Sequence, residues 1–228
     1  MPVNISAYQT IQASLADKQV SLIAVSKTKP NEDLMELYAL GQRAFGENYV
    51  QELVDKAAAL SKDIEWHFIG HLQSNKVKYI APFVHLIHGV DSEKLLVEIN
   101  KQAAKQGRVI DCLLQVHIAT EETKFGFDGT SLHELLLSGR MANYTNIRCR
   151  GLMGMASFSE DQSLVQKEFA TLHAYFIKAQ QAFPDGSFDT LSMGMSGDYE
   201  LAIQEGSNMV RIGSLLFGAR NYPAPNNK

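Results

Sequence analysis

The sequence has little of what marks several protein classes. Only two of its 228 residues are cysteine, Cys112 and Cys149, each within an apolar, strand-like run. That excludes a disulfide framework and fits a reducing compartment, with both thiols as small buried hydrophobes. No C-x-x-C or H-E-x-x-H spacing occurs, so no local metal-ligand motif exists and no metal is expected. No apolar run approaches the roughly 18 residues a membrane helix needs. The opening stretch MPVNISAYQTIQASLADKQV lacks a basic segment followed by an apolar one, so it does not read as a signal peptide. The expected location is the cytoplasm, without a membrane partner. Charge of one sign is not concentrated either: 21 basic and 25 acidic residues give a formal net charge of −4 with no long single-sign run. A nucleic-acid partner is therefore not expected. No low-complexity linker divides the chain, so 1–222 reads as one domain followed by a Pro/Asn-rich frayed tail, 223–228.

What is present is a regular alternation of short apolar runs and helical patterns. The runs fall at 21–27, 44–48, 65–71, 85–91, 111–119, 146–156, 190–196 and 208–218. Between them, segments such as NEDLMELYALG, SEKLLVEINKQAAKQG and QKEFATLHAYFIKAQQAF repeat apolar residues at three- and four-residue steps. Alternating strand and helix implies parallel pairing, because parallel neighbours need a crossover. Eight such units predict a single (β/α)₈ barrel of the α/β class, with an open doubly wound sheet as the alternative. A helix after the last strand is nearly absent, and the amphipathic ISAYQTIQASLA before the first could fill that gap.

In such a barrel, chemistry gathers at the carboxyl ends of the strands, and phosphate sites favour the last two. Lys27 ends the first apolar run, SLIAVSK, at that rim. Its stem could simply carry the charge to water; a desolvated lysine there would be a reactive amine. Lys29, just before Pro30, reads as solvent-directed. The seventh run ends at Ser196-Gly197 before a helical pattern, and the eighth carries Gly213-Ser214 in the same setting. Each turn alone reads as a helix cap; together, on the two strands that build phosphate sites, they suggest an anion cup. Arg211, between Val210 and Ile212, is an inward guanidinium that needs an acceptor, either a ligand atom or a structural carboxylate. Asn48 ends the second run, where capping the next helix is its default role. His67 reads as a hydrogen-bonded core histidine, and Met153 and Met155 as barrel filler. A lysine amine, two anion turns, an inward arginine and an asparagine suit a phosphorylated aldehyde held by the lysine, hence pyridoxal 5′-phosphate.

The blocks AVSKTKP, FGENYVQE, WHFIGHLQSNK, RGLMGM, LSMGMSGDYELAI and MVRIGSLLFGAR, in this order across about residues 5–222, resemble the pyridoxal phosphate homeostasis protein family. The resemblance implies a barrel similar to the N-terminal domain of alanine racemases. It implies that Lys27 forms the aldimine, that Ser196, Gly213 and Ser214 hold the phosphate, and that Arg211 meets the pyridine nitrogen. Asn48 is implied near the ring hydroxyl, with His67 and Met153 beside the ring. His117 stands where family members often carry Asn, and Ser214 where they often carry Thr.

No residue is assigned a catalytic role. A guanidinium cannot accept a proton, so Arg211 would leave the ring nitrogen unprotonated and the cofactor a poorer electron sink. Related racemases add a C-terminal β-domain, and this chain stops about ten residues after its eighth strand. The expectation is a monomeric carrier that hands the cofactor to apo pyridoxal-phosphate enzymes. A racemase acting from the barrel alone is the runner-up. A Schiff-base aldolase for sugar phosphates comes third, because it leaves Arg211 unexplained.

Overall fold

The structure, a computed structural model, describes residues 3–121 and 125–218. Each of the eight apolar runs forms a strand, shorter than the run itself. They are β1 (Ser21–Val25), β2 (Ala44–Glu47), β3 (Glu65–Phe68), β4 (Leu86–Val90), β5 (Ile110–Val116), β6 (Ile147–Gly154), β7 (Thr190–Ser192) and β8 (Met209–Ile212). All neighbours pair in parallel, and β8 closes on β1, so the sheet is a barrel rather than an open sheet. The helices described are α1 (Ile5–Ala16), α2 (Asn31–Ala39), α3 (Val50–Ala59), α4 (Val77–Ile80) and α5 (Glu93–Lys105). They continue with α6 (Gly129–Leu137), α7 (Gln162–Gln180), α8 (Tyr199–Gln204) and α9 (Ser214–Phe217). None of the described helices is long and apolar enough to cross a membrane. The expected boundary at 222 and the tail at 223–228 lie outside the described residues.

The helices bury one apolar stripe each against the outward face of the strands. In α5 that stripe is Leu95, Leu96, Ile99 and Ala103; in α7 it is Val165, Phe169, Leu172 and Phe176. With outward strand residues such as Phe45, Phe68, Ile87, Leu114 and Leu191 they form one continuous core. Both cysteines belong to it, and burial pushes the Cys149 thiol up to about 12, which keeps it protonated. Helix α1 fills the gap left by the short α9. Tyr8, Ile11 and Leu15 are buried, and the Asn4 amide donates to Leu216 O at 2.8 Å.

Inside the barrel the filling is only partly apolar. Leu86, Leu113 and Met153 form a small cluster with Met155 and Met209 against it. The remaining interior includes His67, His88, Ser192 and Arg211, all buried.

Strand β6 carries a bulge: Cys112 pairs with Cys149, yet the next residue, Leu113, pairs with Gly151. Arg150 is the extra residue, and Gly151 is pressed against β7 as a result. A Cβ on Gly151 would lie 1.7 Å from Thr190 O, a backbone atom that cannot rotate away. Gly151→Ala is therefore expected to cost more than about 3 kcal/mol, the range of overpacking and backbone strain. Urea unfolding measures it, and a loss under about 1 kcal/mol would show that the two strands separate easily.

Candidate functional site

Strand β1 stops at Val25, so Lys27 is not its last residue but stands in the turn beyond it, half-buried. The Ser26 amide still donates to Gly46 O at 3.0 Å, and the Lys29 amide returns to Ser26 O at 3.0 Å. Thr28 takes a left-handed φ of 64°, uncommon for a β-branched residue. This strained turn is held on both sides of Lys27. Ser26 donates its hydroxyl to Glu47 Oε1 at 2.6 Å, and the Thr28 amide donates to Glu52 Oε1 at 2.6 Å. Lys56, buried on α3, joins the two anchors: its Nζ lies 2.7 Å from Glu47 Oε1, 2.7 Å from Glu52 Oε1 and 2.8 Å from Ser26 O. Lys29, expected in solvent, instead donates to Phe217 O at 2.6 Å and ties the turn to α9.

Around the rim from this turn lie the ends of β7 and β8. Asp198 accepts the Met195 amide at 2.6 Å and so closes the turn through Ser196 and Gly197. The Gly213 amide donates to Ser196 Oγ at 3.2 Å, which joins the two glycine turns. A Cβ on Gly213 would meet Val25 O at 3.2 Å, so the β8 turn also lies close against the end of β1. Ser214 opens α9 and is exposed. The anion-cup residues are thus brought together, with the Gly213 amide already given to Ser196.

Two residues before Gly213, Arg211 is 4% exposed. Its Nη1 donates to Ser192 O at 2.9 Å and to Ser192 Oγ at 2.7 Å, and its Nη2 to Gly154 O at 3.0 Å. These acceptors are neutral oxygens, not the structural carboxylate that a buried guanidinium ordinarily requires. Burial lowers its pKa to about 10, opposed by the field of Asp198, and it remains cationic at neutral pH.

Asn48 does not cap α3: the helix starts at Val50 after Tyr49 and has no side-chain cap. Its Oδ1 is instead buried without a hydrogen-bond partner, a costly state for an amide oxygen. Gly70 packs closely against the same residue's backbone: a Cβ there would lie 2.4 Å from Asn48 O. The β5–α6 loop approaches the same rim, with Phe125 stacked on His71 at 4.1 Å. His117 Nε2 lies 2.9 Å from Glu121 O, and residues 122–124 of that loop are outside the described set.

His67 and Met153 are not brought to this rim, which corrects the expectation that they stand beside a ring there. Met153 is fully buried in the barrel against Leu86 and Leu113. His67 lines a cavity at the opposite, amino-terminal mouth. Its Nδ1 lies 2.9 Å from His88 Nε2, and His88 Nδ1 lies 3.1 Å from Ser192 Oγ. Burial holds both rings neutral: the His67 pKa falls to about 3, and that of His88 falls well below its ordinary value. A polar column therefore crosses the barrel from His67 through His88 and Ser192 to Arg211.

Sequence reasoning missed Ser26, Glu52, Lys56, His88 and Ser192. One signal was available for Lys56, which shares a buried face with Leu53 and Ala57 in an otherwise ordinary amphipathic helix. Ser26, His88 and Ser192 are polar residues in largely apolar runs and Glu52 is an ordinary first-turn acid of a helix, and only their partners give them meaning.

The closed parallel barrel is matched along nearly its whole length by a known domain family, the alanine racemase N-terminal domain. The model of that domain family matches residues 6–221. The chain belongs to this family and, within it, to the pyridoxal phosphate homeostasis proteins. It is 41% identical over 214 residues to the protein of that name from Pasteurella multocida, covering 92% of this chain and 91% of the relative. The Escherichia coli protein of that name is 40% identical over 210 residues, covering 90% and 88%. Among solved structures, PipY of Synechococcus elongatus without PLP superposes with a TM-score of 0.88 at 36% identity, covering 93% of this chain and 99% of PipY. Alanine racemase from Bartonella henselae shares the fold, with a TM-score of 0.71 at 17% identity over 96% of this chain and 60% of the racemase.

The Lys56 network yields a prediction with a definite pH sign. Burial raises the Glu47 pKa above 4.5, with Lys56 as the main opposing influence. Lys56→Met leaves that carboxylate buried without its cation and is expected to cost about 3–5 kcal/mol at pH 8. A carboxyl whose folded pKa exceeds its unfolded value binds more protons when folded, so it gains stability as pH falls. The difference between Lys56→Met and wild type is thus expected to shrink from pH 8 to pH 5, in paired denaturant titrations. A penalty that is constant across that range would show that Glu47 does not carry the charge.

Proposed function

We propose that this chain binds pyridoxal 5′-phosphate at the carboxyl rim of the barrel, with covalent attachment at Lys27, and serves in intracellular supply of that cofactor. The carrying observation is the arrangement of one rim: the turn of Lys27 is anchored on both sides, and the end of β8 packs against it. PipY, at 36% identity, has also been solved with PLP bound.

The residues present fit the group. Ser196 Oγ accepts from the Gly213 amide, which leaves its hydroxyl hydrogen to donate to a phosphate oxygen. Ser214, in the adjoining turn, offers a second hydroxyl. Arg211, cationic and buried, is a donor that cannot be a proton source for a ring nitrogen at neutral pH. Asn48 Oδ1, buried and without an acceptor's usual partner, would take a hydrogen from the ring hydroxyl. When bound, the cofactor supplies an aldehyde and an electron-withdrawing ring. The protein's part is to orient it, shield its link to Lys27 and keep the ring nitrogen from being protonated.

We read this role as holding without turnover. Moving a proton off one face of an amino acid and onto the other takes two positioned groups. Lys27 could serve one face; His67, which the resemblance implies beside the ring, lines a cavity at the opposite mouth and is not placed to serve the other. Apo-enzymes that use the cofactor are the recipients in this reading.

Protein loaded with pyridoxal 5′-phosphate, reduced with borohydride and digested, is expected to carry its label on Lys27. Label on Lys29 or Lys76 would reject the assignment. The same loaded protein is expected to leave alanine and lysine unracemised in a chiral assay. Turnover near 1 s⁻¹, the low end of the usual enzyme range, that disappears in Lys27→Ala would make the protein an enzyme.

Ser196→Ala and Ser214→Ala are each expected to weaken cofactor binding by roughly ten- to hundredfold, the equivalent of one charge-assisted hydrogen bond of about 1.5–3 kcal/mol. Equilibrium dialysis measures this. Equal retention of pyridoxal and its phosphate by the wild type would remove the anion cup from the proposal.

A further inference from the structure

The amino-terminal mouth of the barrel holds a second constellation. Glu65 at the start of β3, His67 two residues on, and His85 just before β4 place one ligand atom each within 4.8 Å of one another. They border a cavity of about 260 Å³, walled also by Asp111 and Arg150. At about 30 Å³ per water, that leaves room for a partly hydrated ion. The sequence shows no local metal motif because these residues come from one strand and from the loop before the next. Only the parallel pairing of β3 with β4 brings them together.

His67 Nε2 is buried without a hydrogen-bond partner, while the residue as a whole is only 3% exposed. A buried, unpartnered ring nitrogen on a residue that lines a polar cavity requires an explanation. Its other nitrogen, Nδ1, is 2.9 Å from His88 Nε2. Metal-bound histidines are ordinarily held this way, by a second group that accepts the hydrogen of the far ring nitrogen and so directs the lone pair of the near one. The cation on the wall does not oppose an incoming ion, because Arg150 is matched by Asp111 at 3.1 Å and Asp189 at 2.6 Å.

The geometry points to a binding site for a divalent transition metal of the zinc class, made by Glu65, His67 and His85 at the mouth opposite the cofactor rim. A two-histidine, one-carboxylate set suits Zn²⁺, and three protein ligands leave a position for water. Ligand atoms in a tetrahedral zinc site stand roughly 3.4 Å apart, as follows from bonds of about 2.0–2.1 Å. Glu65 and His85 are both exposed, so their side chains rotate freely enough to close the difference, while His67 is the fixed point. A metal on His67 Nε2 requires the hydrogen on Nδ1. His67 then donates to His88, and His88 Nδ1–H donates to Ser192 Oγ, the oxygen that also accepts from Arg211. An ion at one mouth thereby sets the direction of every hydrogen bond in the column leading to the other.

Calorimetric titration of the untagged full chain with Zn²⁺, with Mg²⁺ as the hard-cation control, is expected to show one equivalent of Zn²⁺ bound and no Mg²⁺. Glu65→Gln and His85→Gln alter exposed residues and should fold normally. Each is expected to weaken Zn²⁺ binding at least about tenfold, no less than the loss of a supporting group around a metal causes. In ¹⁵N spectra of the histidine rings, Zn²⁺ should move the His67 and His88 signals together. Absence of a saturable Zn²⁺ site, or one whose affinity both variants leave intact, would overturn the assignment. Neither result bears on cofactor binding at the opposite rim.

Discussion

Glu47 and Lys56 form an ion pair between β2 and α3, with the carboxylate fully buried and the ammonium nearly so. Removing two charges from water is expensive, and the pair holds only because other groups complete it. Ser26 donates to the same carboxylate oxygen, Glu52 adds a second carboxylate, and Ser26 O receives a further hydrogen of the ammonium. Ser26 lies in the Lys27 turn, and Glu52 also accepts the Thr28 amide of that turn, so the same groups hold it. The pair therefore does more than close a gap between strand and helix: it converts the buried end of β2 into a fixed mount for the turn of β1. The uncommon φ of Thr28 persists because the backbone on either side is held.

The second organising feature is the polar column through the barrel. Barrels of this architecture fill their interior with layers of side chains, mostly branched and apolar. Here part of that volume goes to His67, His88, Ser192 and Arg211, each satisfied chiefly by the next. Such a chain is stable only when every member has its partner, since a half-satisfied network in low dielectric costs more than an apolar filling. Its two ends differ. Arg211 terminates on backbone oxygens near the carboxyl rim, while His67, which lines the amino-terminal cavity, keeps a buried nitrogen without a hydrogen-bond partner. The column links the two mouths by direct hydrogen bonds.

At 17% identity, the likeness to alanine racemase is one of fold alone. At about 40% identity, the pyridoxal phosphate homeostasis proteins share nearly the whole length.

Much was legible in the linear pattern. Eight apolar runs with helical patterns between them pointed to eight parallel strands, because a helix is the usual crossover of a parallel pair. Ser196, Gly213 and Ser214 were legible as neighbours, since strands seven and eight adjoin in any such barrel. Lys27 stands at the carboxyl rim, although its run was taken two residues too far: Ser26 still donates to Gly46 O, but the strand ends at Val25 and the turn with left-handed Thr28 follows. What periodicity could not supply was direction and partnership. His67 and Arg211 are both polar residues flanked by apolar ones in their strands, indistinguishable by pattern, yet the closed barrel turns one toward each mouth. Lys56 looked like an ordinary helix charge until α3 packed it over Glu47. Local sequence determines which segments pair and which faces are apolar, because those are short-range properties of the chain. Which buried polar group meets which depends on the closed sheet's register, and only the tertiary structure decides it.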